Sequence, residues 1–165
     1  MTHVRGALAA LLLLILAGCA ALGPATPAAV APTLDGWRGL GLSCSRPTED
    51  NVPSGLLQWV CRGSLRAAAF TAVLDGDDKG VFDITAQVPA GTSRETAVAA
   101  FVDLVDATTA VAAVRGAVRS WAEAWDGSQE SAEFGITWVM LEADATWVTL
   151  VIWPGPRRSV GDPMP

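Results

Sequence analysis

A two-residue alternation runs through residues 81–88, where Phe82, Ile84, Ala86 and Val88 stand against Asp83, Thr85 and Gln87. Successive side chains of a strand point to opposite faces, so this segment has one face suited to a core and one wetter face. Such a strand needs paired neighbours and a second layer over its apolar side. The same period recurs at Leu40, Leu42 and Cys44, and again at Leu57, Trp59 and Cys61. Residues 65–74 read as a third strand, ahead of the alternating one. Between the first two lie Pro47, Asp50, Asn51, Pro53 and Gly55, the composition of a loop.

After these four strands the period lengthens. Thr92 with Glu95 forms a capping-box pattern, followed by Ala97, Val98, Phe101, Leu104 and Val105 at helical spacing. A second helical run carries Val111, Val114, Val118, Trp121 and Trp125, with Arg119 and Glu123 as an i,i+4 pair on its other side and Gly127 as its stop. Residues 134–142 and 146–153 then close the chain as a hairpin. The order ββββααββ predicts an α+β domain, an antiparallel sheet with two helices packed on one face.

Composition narrows the classes further. At 165 residues the chain is sized for one ordinary domain. With 51% apolar residues and a mean hydropathy of +0.36, it is not a disordered tail. A net charge of −6 and a pI near 4.6 exclude a phosphate-neutralising surface, so nucleic acid is not an expected partner.

The N-terminus carries Arg5, then an uncharged run of twelve residues from Gly6 to Ala17, then Leu16-Ala17-Gly18-Cys19. The run is too short to span a bilayer, which takes roughly 20 residues, and it suits a signal-peptide core. This stretch resembles the lipobox signal peptide of bacterial lipoproteins. The resemblance implies cleavage before Cys19, diacylglycerol and palmitate on that cysteine, and attachment to a membrane on its extracytoplasmic side. It divides the chain into a signal peptide (1–18), a lipidated Ala/Pro-rich tether (19–33), the α+β domain (34–154) and a flexible tail (155–165).

Cleavage would remove His3, the only histidine, and Arg5, lowering Lys+Arg from 11 to 10 against 17 acids, for a net −7. A mature chain without histidine excludes Ser-His-Asp and Cys-His chemistry and zinc sites that need imidazole. With Cys19 taken by lipid, Cys44 and Cys61 remain as an even pair outside the cytoplasm, where a disulfide is expected. No metal, cofactor or catalytic motif is expected.

Asp75-Gly76-Asp77-Asp78-Lys79-Gly80 has the start of a calcium loop but offers Lys79 and Ala86 where the fifth and twelfth ligands belong, so it reads as a turn. Asp83, Glu133 and Glu142 are the carboxylates on which a hydrolase would have to rely, and nothing in their spacing pairs them. Seven tryptophans and no tyrosine are the unusual feature. Trp59, Trp121 and Trp125 read as core. For the closing hairpin, a turn of two or four residues puts Trp147 and Trp153 with Phe134, Ile136, Trp138 and Met140 on one core face. A three-residue turn puts them with Thr137, Val139 and Leu141 on an open apolar face, a candidate binding patch. The resulting expectation is a lipid-anchored cell-envelope binding module for a small molecule or envelope component. A structural or assembly lipoprotein docking a partner protein through its sheet face, and a carboxylate-based hydrolase, are the alternatives.

Overall fold

The computed structural model describes residues 30–46 and 57–155. The lipobox and Cys19, the first part of the tether, most of the loop between the first two strands and most of the tail lie outside the described residues. The elements are α1 (Ala31–Gly39), β1 (Ser43–Ser45), β2 (Leu57–Leu65), β3 (Ala68–Gly76), β4 (Val81–Pro89), α2 (Arg94–Ala107), a 3-10 turn (Thr109–Val111), α3 (Arg115–Ala124), β5 (Glu130–Phe134), β6 (Thr137–Ala143) and β7 (Trp147–Trp153). All strands pair antiparallel in one seven-stranded sheet of order β1-β2-β3-β4-β7-β6-β5. This is the expected α+β architecture, with helices on one face and one disulfide.

The sheet's inner face is a continuous apolar surface. Trp59, Cys61, Phe70, Ala72, Leu74, Ile84, Ala86, Val88, Val139, Leu141, Leu150 and Ile152 are all buried on it. Phe101 of α2 meets Phe70 edge-on at 6.0 Å, and Trp121 of α3 meets Phe134 at 6.5 Å, which seats both helices on that face. Cys44 and Cys61 are cross-strand partners joined by the disulfide, with Cα atoms 4.0 Å apart.

Several boundaries differ from expectation. Residues 30–33 are not tether: Val30 and Thr33 are fully buried and open α1, whose Pro32 suits the first helical turn, where no amide partner is lost. The helix lies against the α2–α3 junction. Its Trp37 indole donates to Thr108 Oγ1 (3.0 Å), which donates to the Leu104 carbonyl (2.7 Å), and Thr33 shares a bond with Thr109 (2.8 Å). Gly36 makes that approach possible, since a Cβ there would lie 2.2 Å from the Ala107 carbonyl oxygen.

The first strand is only Ser43–Ser45, because Leu40 and Leu42 belong to the turn leaving α1. Ser93, not Thr92, caps α2, accepting from the Thr96 amide. Arg119 pairs with Asp106 of α2 rather than with Glu123, a tertiary contact displacing the helical one. Residues 134–142 are not one strand: Gly135, at φ 65°, turns the chain between β5 and β6. Arg66 and Ala67 form the two-residue β2–β3 turn at φ 51° and 65°, the left-handed pair a tight hairpin requires and a strained one for side chains.

Candidate functional site

Strand register defines what the outer face displays. Gln58 pairs with Asp75 and Asp75 with Asp83, while Glu133 pairs with Trp138 and Trp138 with Trp153. Ile84 pairs with Ile152, so the preceding Asp83 and the following Trp153 adjoin. The side chains therefore form one transverse row, Gln58–Asp75–Asp83–Trp153–Trp138–Glu133, from β2 to β5. At about 4.8 Å per strand it is roughly 24 Å long. The adjacent row, Val60, Val73, Thr85, Val151 and Met140, is largely apolar.

The row is held by contacts within the sheet. The Trp138 and Trp153 rings lie 4.2 Å apart between centroids and 47° to each other. Gln58 Nε2 donates to Asp75 Oδ1 at 2.9 Å, and Thr85 Oγ1 to Asp83 Oδ1 at 3.1 Å. Burial pushes the Asp83 carboxyl above the usual carboxylate range, and the neighbouring charge of Asp75 adds to this; hydrogen bonds from Thr85 and the Trp153 indole oppose it. A half-buried carboxyl beside a second carboxylate and two indole faces can accept hydrogen bonds, attract a cation or offer a stacking surface.

The two tryptophans expected to form a patch fall at opposite ends of β7. Trp147 is 37% exposed, adjoins Pro89 of β4, and lies about 20 Å along the strand from Trp153. Both share the outer face with Trp138 and Met140, as expected for a two- or four-residue turn, but Phe134 of that grouping lies on the core face against Trp121. That face is not the core, as that grouping was expected to be; Thr137, Val139 and Leu141 line the core instead. The turn works through Asp144, whose Oδ1 accepts from the Thr146 and Trp147 amides at 2.6 and 2.8 Å, bonds that hold its carboxyl below the ordinary range. Trp59 and Trp125 are core as expected, and Trp121 is half-buried against it.

Gln58 is not singled out by the sequence, and Asp75 and Trp138 are expected there in a turn and in the core. Asp75 was placed in the turn, but Asp77 makes that turn, accepting from the Lys79 and Gly80 amides at 2.7 and 2.9 Å. Asp75 comes opposite Asp83 through the pairing of Gly76 with Val81 and a register shift between Asp75 and Gly76. Glu133 and Glu142 do not join the carboxylate pair; Glu142 lies two rows away and takes a bond from Gln129.

On the helical side a groove of about 390 Å³ runs between α2 and α3. Both of its arginines are engaged in the fold: Arg66 holds Asp103 in a bidentate pair (2.7 and 2.8 Å), and Arg94 donates to the Trp125 carbonyl. Among the described residues no group of three or more His, Cys, Asp or Glu is placed to hold a metal, and no helix is long and apolar enough to cross a membrane. No protein-family model, curated protein or solved structure matches the chain.

Proposed function

We propose that the chain is a lipid-anchored, extracytoplasmic binding module that captures its ligand on the outer sheet face. The observation that carries this reading is the row in which Asp75, Asp83, Trp153 and Trp138 stand side by side on strands fixed from behind by the core. Rigid strands beneath aromatic anchors limit the ordering cost of binding. The Cys44–Cys61 disulfide agrees with an oxidising compartment, and Leu16-Ala17-Gly18-Cys19 supplies the anchor.

Two measurements test the halves separately. For the anchor, wild type should partition into detergent and carry a lipid mass on Cys19, while Cys19→Ser should not; a water-soluble wild type would refute it. For the face, Trp153→Ala should lose capture of an envelope component while remaining folded by near-ultraviolet circular dichroism, and Trp147→Ala should retain it. Equal loss in both variants would relocate the site. The Asp75–Asp83 pair favours a second reading, a carboxylate hydrolase. That reading would prevail if a hydrolytic activity were found and vanished in Asp83→Asn.

A further inference from the structure

The charge pattern of the outer face narrows what it takes. Among the described residues, strand register gives the face four carboxylates, Asp75, Asp83, Glu133 and Glu142, and one cation, Arg62, which lies opposite Thr71 two rows from Asp83. Between the acidic pair on β3 and β4 and the acid on β5 lie the two indoles. Resting on the reading that this face is the binding site, we propose that its ligand is an extended basic peptide segment laid across the strands. One Lys or Arg meets Asp75 and Asp83, a second meets Glu133, and apolar residues between them cover Trp153 and Trp138.

Four features converge on this ligand. A cation relieves the repulsion between the two adjacent carboxylates, which a neutral or anionic ligand would leave in place. Indole faces next to carboxylates attract ammonium and guanidinium groups while tolerating apolar side chains. The span from Asp83 to Glu133 is three strand steps, about 14 Å, and an extended chain covers it in about four residues. An even separation puts both cations on the same side of the peptide, facing the sheet. The preferred motif is therefore two basic residues four apart.

Calorimetric titration of the full domain with synthetic peptides tests this. The probe is a nine-residue peptide with two arginines four apart and valine, proline and leucine between. Replacing both arginines by citrulline should weaken binding roughly tenfold or more, and so should moving them to three apart. Asp83→Asn should weaken the arginine peptide and leave the citrulline peptide unchanged, with the fold verified by circular dichroism. If both peptides bind equally and Trp153→Ala abolishes both, the face is a site but the charge assignment is wrong. If neither peptide binds while Trp153→Ala still loses capture of an envelope component, the basic-peptide ligand is overturned and the binding face stands. If neither peptide binds and that capture is also unaffected, both fail. If removing residues 156–165, which include Arg157 and Arg158, raises the affinity tenfold, or if Trp153→Ala breaks a dimer seen in sedimentation, then the tail or a second copy is the occupant and an external segment is ruled out.

Discussion

Asp83 sits where burial and a neighbouring carboxylate both oppose its ionisation. Between its unfolded and folded values, the folded chain therefore holds a proton which the unfolded chain has already released. The associated stability is fully present below the ordinary carboxylate range and is lost as pH rises through the folded value. Asp83→Asn keeps an oxygen to accept from Thr85 and Trp153 without the charge. It should therefore raise the melting temperature at pH 7, with the gain vanishing toward pH 3; a gain independent of pH would point to packing instead. Gly36 is the opposite kind of residue, chosen for what it lacks. Gly36→Ala drives a methyl into the Ala107 carbonyl and should cost about 2 kcal/mol, read from urea unfolding. Neither role could be read in advance. Asp83 was legible as a polar-face residue, but its pairing with Asp75 depends on a register shift between Asp75 and Gly76, and Gly36 reveals itself only when two helices are docked.

At the scale of elements, the period-two and helical patterns placed β2, β3, β4, α2 and α3 because each has one apolar side to bury. Two elements escaped for a shared physical reason, since they carry weak periodicity of their own. The helix α1 is rich in residues that also suit a linker, and it is held by Leu34 and Trp37 against other elements. The strand β5 is an edge strand of five residues, half-buried at most, with glutamates that keep an open edge wet. Strand β7 was legible as a strand but not as to which side faces in, because a strand buried on both faces gives no alternation to read. The disulfide acts at this scale as well, since it fastens the three-residue β1 to its neighbour. Cys44→Ala/Cys61→Ala should cost about 3 kcal/mol by urea unfolding, and mass spectrometry after alkylation should count no free thiol at these positions without reductant. Two labels on the unreduced domain would disprove the bond.

For the whole molecule, the folded unit begins at α1 and not at residue 34. Burial of Leu34 and Trp37 alone is worth roughly 5 kcal/mol, which is comparable to the entire stability of a small domain. A chain begun at Leu40 should therefore lose its near-ultraviolet signal, whereas one begun at Val30 should keep it. An unchanged melting curve for the shorter chain would remove α1 from the unit. The strand order has a consequence in time. Strands β1 to β4 follow one another in space as in sequence, so each can pair as soon as it emerges. The β5–β6 hairpin joins the sheet only through β7, which inserts between β4 and β6. Chain leaving a ribosome or a membrane pore N-terminus first thus presents an open β4 edge until residues 147–153 arrive. That late arrival makes completion of the sheet depend on long-range closure over the helices, and leaves the half-built domain exposed to edge pairing with its neighbours.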